Sequence, residues 1–141
     1  NWNEVGGEDR PIVAISRDSS SGTYEYFKEE VLHGDEFRPD ALTQPASGGV
    51  MGEASQNPNA VGYIGVAYLD ENVKALNLDE GNGSVAPSLE NITSGTYPLS
   101  RPLYFYTNGE PSGLTKEFIN FVMSEKGQNL VSEVGYFPIK Q

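Results

Sequence analysis

Short, wholly apolar segments alternate along this chain with stretches in which apolar residues recur every three or four positions. Residues 12–15 are consecutively apolar, which is typical of a buried strand. A polar turn follows, and then Tyr24, Phe27 and Val31 recur at helical spacing, with Gly34 placed to end the helix. The first part of the chain is therefore predicted to be a strand, a Gly-containing turn and a helix.

The same alternation continues to the C-terminus. Residues 60–65 are predicted to form a second buried strand, residues 73–78 an edge strand, and residues 103–106 the main strand of the C-terminal half. Further strand and helix candidates lie at 42–45, 47–57, 87–95, 112–123 and 127–134. Strands that alternate with helices predict an α/β fold with a mostly parallel or mixed sheet.

Composition narrows the possible functions. The 141 residues are enough for one domain, and the formal net charge is −11 without any cluster of Lys or Arg, so no nucleic-acid partner is expected. No apolar stretch reaches the roughly 18 residues that would span a bilayer. With no cysteine and one histidine, His33, neither a metal site nor a cofactor is expected.

The residue types that can carry chemistry are concentrated between the first strand and the first helix. A Ser- and Gly-rich turn that opens a helix points free backbone N–H groups at one place, where the helix dipole favours an anion. Gly22 allows a close approach, Ser21 and Thr23 supply hydroxyl donors, and Arg17 supplies a planar fork for two oxygens of a tetrahedral anion. These residues predict an anion-binding site.

A simpler interpretation is that Ser21 only caps the helix, because Ser is a favoured residue at that position. Against it, the cation of Arg17 beside a helix N-terminus is unfavourable unless an anion or a carboxylate lies between them. Asp18 could be that carboxylate, so the residues alone leave both interpretations open.

Several motifs resemble one family. The spacing Arg17-x-x-x-Ser21-Gly22-Thr23 after a short strand is similar to the phosphate-binding motif of the substrate-binding proteins of high-affinity phosphate ABC transporters. Further similarity to the family is found at residues 1–7, 59–63, 95–104 and 135–139. The resemblance covers essentially the whole chain.

The resemblance implies a fold and an organisation. It implies a periplasmic-binding-protein-like (type II) lobe, a mixed sheet flanked by helices, over residues 1–141. About 1–107 would be the second lobe of a two-lobe protein and about 108–141 a C-terminal helical return segment, with the first lobe absent. It also implies an extracytoplasmic location, with a lipid anchor as one option for the full-length protein.

The resemblance also implies a ligand, partners and site residues. Arg17, Ser21, Gly22 and Thr23 would bind inorganic phosphate, and the partners would be a membrane ABC permease and the missing first lobe. Many relatives carry an Asp two residues after the Arg to orient it, whereas this chain has Ser19 there. The isolated chain is expected to bind phosphate weakly or not detectably.

Three alternatives remain beside non-enzymatic phosphate binding. The ligand could be another oxyanion, since the family's deciding proton acceptor lies in the first lobe. The chain could instead be a sensor or interaction module without transport. An enzyme that uses Ser21 as a nucleophile would need a general base, and only Asp18 and His33 are near in sequence, neither well placed.

Overall fold

A computed structural model describes residues 1–139 of the chain, which fall into two compact units with the boundary between Lys74 and Ala75. The first unit alternates strands and helices, apart from single 3-10 turns at Trp2–Val5 and Val66–Tyr68. Its elements are, in chain order, β1 (Val13–Arg17), α1 (Gly22–Glu30), β2 (Leu42–Gln44), α2 (Ser47–Gln56) and β3 (Ala60–Gly62). The predicted α/β class is confirmed.

The three strands form one parallel sheet in the order β2-β1-β3. In the register of the sheet, Arg17 lies beside Gln44, and Ile15 lies between Leu42 and Gly62. The chain moves from β1 to one neighbouring position through α1 and then crosses to the opposite side of β1 through α2. Because all three strands run the same way, their carboxyl ends meet at one edge of the sheet.

The two faces of β1 are covered by different helices. Ile15 and Val50 are the buried apolar residues of this unit, and both lie against Gly62, where a Cβ would come within 2.8 Å of Val50 Cγ1. On the other face, the ring of Phe27 from α1 stacks on that of Tyr63 at 4.1 Å. Since successive side chains of a strand alternate between faces, Arg17 lies on the same side as Ile15, towards α2.

The second unit contains three helices among the described residues: α3 (Leu89–Thr93), α4 (Gly113–Val122) and α5 (Glu125–Glu133). The buried amide of Gln128 connects the end of α4 to the C-terminal segment. Its Nε2 donates to the carbonyl of Val122 at 2.8 Å, and its Oε1 accepts from the N–H of Ile139 at 2.8 Å.

Two strand predictions in this part of the chain are wrong. Residues 103–106 form no strand, and all four side chains are exposed. Residues 73–78 contribute only one isolated antiparallel bridge, between Leu78 and Val85. Alternating or aromatic residues are compatible with a strand, but a strand also needs a neighbour for its N–H and C=O groups. Within the described chain residues 103–106 lack one, and residues 73–78 have one only at Leu78.

No helix in residues 1–139 is both long enough and apolar enough to cross a membrane.

Candidate functional site

The carboxyl end of β1 is the point at which the chain order of the sheet reverses. The connection after β1 leads to β2 on one side, whereas β3 occupies the other side. In open parallel sheets, the loops on either side of such a reversal separate and leave a crevice for ligands outside the carboxyl ends of the strands. The predicted anion-binding residues, Arg17 to Thr23, follow β1 at this position.

Ser21 caps the N-terminus of α1. Its backbone is extended, with φ −82° and ψ 124°, and its Oγ accepts hydrogen bonds from the N–H groups of Thr23 at 3.2 Å and Tyr24 at 3.4 Å. The residue is buried, and its carbonyl accepts from the N–H of Glu25. A hydroxyl oxygen that accepts from the helix still carries its own hydrogen to donate elsewhere. Capping and anion binding by Ser21 are therefore chemically compatible.

The guanidinium of Arg17 is anchored on α2 and the loop before it. Nη1 donates to Ser47 Oγ at 3.0 Å and Nη2 to the carbonyl of Pro45 at 3.1 Å. Its Nε is buried and has no hydrogen-bond partner among residues 1–139. An unpaired buried donor of this kind costs about 1–3 kcal/mol, so an acceptor that reached Nε by displacing the atoms that cover it would be favourable.

Tyr63 fixes the main chain from which Arg17 extends. Its hydroxyl accepts from the backbone N–H of Arg17 at 3.1 Å and pairs with Ser16 Oγ at 2.8 Å. The ring of Tyr63 is in turn stacked on Phe27 of α1. The end of β1, the loop after β3 and α1 are thus joined through one side chain.

Asp18 hydrogen-bonds to the turn, not to the guanidinium. Its Oδ1 accepts from the Ser20 hydroxyl and from the Ser20 N–H, the latter at 2.9 Å. The hydroxyl bond, followed by the backbone bond, holds the pKa of the Asp18 carboxyl below its usual value, and the charge of Arg17 makes a smaller contribution. The carboxylate that the sequence allowed as the partner of Arg17 therefore stabilises the turn that leads into α1.

A cavity of about 400 Å³ opens beside the end of β1. This volume is in the range of small-molecule sites. Arg17 contributes to its wall, but Ser21, Gly22 and Thr23 do not. The lining residues are Ser16, Arg17, Asp18, Ser19, Tyr24, Glu36, Phe37, Arg38, Pro39, Ala41 and Thr43.

Sequence reasoning missed two residues that hold Arg17. Ser47 begins the helix predicted at 47–57, and the sequence favours a structural role for the Ser47-Gly48-Gly49 turn over one facing the ligand; nothing in the local pattern links Ser47 to a residue thirty positions earlier. Tyr63 was noted only as part of an apolar strand. The signal that could have found Ser47 is topological, because the N-termini of α1 and α2 must meet at the carboxyl edge of a parallel sheet.

Other predicted candidates lie away from these residues. His33 follows the end of α1, with a backbone φ of 53° and an exposed side chain. Among residues 1–139, no group of three His, Cys, Asp or Glu side chains is arranged to hold a metal ion.

Comparison with known proteins identifies relatives. Residues 1–126 match the family model described as a PBP superfamily domain. The chain is 40% identical to the phosphate-binding protein PstS of Pseudomonas aeruginosa, over 98% of the chain and 46% of that protein. It is 37% identical to PstS of Bacillus subtilis, over 99% of the chain and 45% of that protein. The chain thus spans slightly less than half the length of these curated relatives.

Solved structures give the same result for the fold. A putative phosphate ABC transporter substrate-binding protein from Clostridium perfringens, with bound phosphate, has a TM-score of 0.81 and 35% identity, covering 99% of this chain and 57% of that one. An ABC-type phosphate transport receptor from Vibrio cholerae has a TM-score of 0.77 and 34% identity, covering 97% and 57%.

These likenesses confirm the predicted resemblance and the periplasmic-binding-protein-like fold. With the family match extending over residues 1–126, the chain belongs to the PBP superfamily.

Proposed function

We propose that this chain binds inorganic phosphate reversibly, as part of a protein that delivers it to a membrane ABC permease. Arg17 and the Ser21-Gly22-Thr23 turn are the proposed phosphate ligands. The observation that carries the proposal is the position of Arg17: this cation is the last residue of β1, at the reversal point of the sheet, and the next helix begins five residues later with a capped, Gly-containing turn.

The local chemistry supports an anionic ligand. The first turn of α1 offers main-chain N–H groups and a partial positive charge, and the cap bonds to Thr23 and Tyr24 are long enough to be shared with a stronger acceptor. Gly22 presents no side chain to an approaching oxygen. Arg17 keeps N–H groups beyond the two that it donates to Ser47 and Pro45.

The environment of Ser21 favours binding over catalysis. In residues 1–139 its hydroxyl oxygen accepts hydrogen bonds from main-chain N–H groups, and it is not hydrogen-bonded to a histidine or a carboxylate. A serine nucleophile is activated by a base within hydrogen-bond reach. We therefore propose a non-covalent, non-enzymatic role, in line with relatives that are named as binding proteins.

The relatives supply the identity of the ligand and the partners. The relatives from Pseudomonas aeruginosa and Bacillus subtilis are phosphate-binding proteins, and the one from Vibrio cholerae is a phosphate transport receptor. Because the chain matches about half of their length, we propose that a first lobe completes the phosphate site, with about 1–107 and about 108–141 as the second lobe and its return segment. An extracytoplasmic location, lipid-anchored or free, belongs to the same proposal.

Titration calorimetry with inorganic phosphate tests this function. The full-length protein should bind phosphate, and Arg17→Ala should weaken binding by about a hundredfold or more, the loss of about 3 kcal/mol expected for a charge-assisted contact. Arg10→Ala is the matched control, because Arg10 is an exposed cation of the same unit, paired with Glu8. The isolated chain should bind weakly or not detectably.

Two results would redirect the proposal. Unchanged phosphate affinity in Arg17→Ala would favour a sensor or interaction module whose lobe no longer holds the anion through this residue. Equal or tighter binding of sulfate than of phosphate would favour another oxyanion as the natural ligand.

A further inference from the structure

The guanidinium of Arg17 is held by two neutral oxygens that lie about thirty residues away in the sequence. Ser47 Oγ accepts from Nη1 at 3.0 Å, and the carbonyl of Pro45 accepts from Nη2 at 3.1 Å. Ser47 is the first residue of α2 and is 6% exposed. Of the two acceptors, one is a main-chain carbonyl and the other is the buried side-chain hydroxyl of Ser47 at the start of α2.

We propose that Ser47 is the positioning residue of the anion site, and that its hydroxyl oxygen sets the plane of the Arg17 guanidinium so that the edge carrying Nε receives the phosphate. This inference rests on the proposed phosphate-binding function.

The geometry of the guanidinium supports this role. The group is planar and has five N–H donors in fixed directions, so one hydrogen bond from each η nitrogen determines its plane. The third nitrogen of the Arg17 guanidinium, Nε, is buried and has no hydrogen-bond partner among residues 1–139. A phosphate oxygen that displaces the atoms covering Nε would satisfy a donor that otherwise stays unpaired, and the adjacent Nη2 has a second hydrogen for another oxygen.

The charge balance supports it as well. A carboxylate in place of Ser47 would orient the guanidinium but would also neutralise it, whereas two neutral acceptors orient it without adding a negative charge. Asp18, the nearest carboxylate in sequence, is hydrogen-bonded to Ser20. The N-terminus of α2 further opposes the cation held beside it, and a bound anion would offset that repulsion.

The test is a set of substitutions at position 47 in the full-length protein, with calorimetry and NMR of the Arg17 Nε–H group during titration with inorganic phosphate. Ser47→Ala removes the acceptor, and Ser47→Cys replaces it with a weak acceptor of similar size. Ser47→Thr keeps the hydroxyl. Ser55→Ala, an exposed serine on the same helix that bonds only within it, is the control.

We expect the Ala and Cys variants to bind phosphate about tenfold more weakly, as for the loss of one hydrogen bond that orients a charged ligand group. In both, the Arg17 Nε–H signal should respond less to saturating phosphate, while the amide of Thr23 still shifts. The Thr variant and Ser55→Ala should match the unsubstituted protein in affinity and in the Nε–H response.

Each remaining outcome decides against the inference. If Ser47→Cys binds like the unsubstituted protein while Ser47→Ala does not, the effect comes from a packing void and the positioning role is wrong. If both bind normally with an unchanged Nε–H response, the role is wrong although the proposed function stands. If the unsubstituted protein does not bind phosphate, the proposed function fails and this inference fails with it.

Discussion

The hydroxyl oxygen of Tyr63 accepts a hydrogen bond from the backbone N–H of Arg17 at 3.1 Å, although 46 residues separate the two in sequence. The contact connects the last residue of β1 to the loop after β3, on the opposite side from β2. It stabilises the main-chain position from which the guanidinium extends towards Ser47.

We predict that Tyr63→Phe lowers the free energy of unfolding by about 1–2 kcal/mol, because the Arg17 N–H and the Ser16 hydroxyl lose a partner while the ring can still stack on Phe27. Chemical denaturation measures the stability, and amide hydrogen exchange should show faster exchange at Arg17. Tyr68→Phe, at an exposed tyrosine of the same unit, is the control. Unchanged exchange at Arg17 would contradict the importance of this bond.

A second prediction compares two glycines of the first unit. Gly62→Ala should destabilise the protein by about 1–3 kcal/mol, because the added Cβ would meet Val50 Cγ1 at 2.8 Å and the Cβ and carbonyl oxygen of Ile15 at 3.3 Å. Gly52→Ala is the matched control on α2, where a Cβ meets nothing within 4 Å. There the same substitution should stabilise by up to about 1 kcal/mol, since alanine is the better helix former.

Thermal or urea unfolding measures both glycine variants. Opposite signs are the expected result. If Gly52→Ala lost as much stability as Gly62→Ala, the loss at Gly62 could not be attributed to the close packing of Val50 and Ile15 around it.

The sequence allowed prediction of the first strand, the turn and the first helix because each depends on neighbouring residues. Periodicity marks α1, and Ser21 is a favoured capping residue at its start. The prediction of a strand at residues 103–106 was wrong, because aromatic composition does not determine whether a partner strand is present. The contact of Ser47 with Arg17 could not be found locally, since it depends on the crossover that brings two helix N-termini to one edge.

A third prediction concerns the pKa of Asp18. Hydrogen bonds from Ser20 lower this pKa from its usual value of 3.8. Ser20→Ala removes the hydroxyl donor and keeps the main-chain donor, so the pKa of Asp18 should rise but stay below the usual value. An NMR titration of the carboxyl carbon measures the midpoint, and Ser19→Ala in the same turn should leave it unchanged.

The sign of the stability effect follows from the direction of this shift. A carboxyl whose pKa is lower in the folded state stabilises it at pH values above the unfolded pKa, and this contribution is lost as the pH falls through the folded pKa. Ser20→Ala should therefore reduce stability at neutral pH and lose its effect in strong acid. An effect that is larger in acid than at neutral pH would contradict the assignment of the shift to Ser20.

The last prediction separates capping from phosphate binding at Ser21. Aspartate caps helices about as well as serine, so Ser21→Asp should keep the stability of the native chain, whereas Ser21→Ala should lose about 1 kcal/mol. Phosphate affinity should follow the opposite order. The aspartate places a negative charge against the anion and should weaken binding by about a hundredfold or more. The alanine removes one neutral donor and should weaken it by about tenfold.

Denaturation of the two variants of the full-length protein ranks them by stability, and phosphate calorimetry ranks the same variants by affinity. If Ser21 binds the anion, the more stable variant will be the weaker binder, a reversal that a change in folding alone cannot produce. If Ser21 only caps α1, affinity will follow stability and Ser21→Asp will bind phosphate as tightly as the unsubstituted protein. In that case the phosphate site must lie elsewhere, and the resemblance of Ser21, Gly22 and Thr23 to a phosphate-binding turn would reflect helix capping alone.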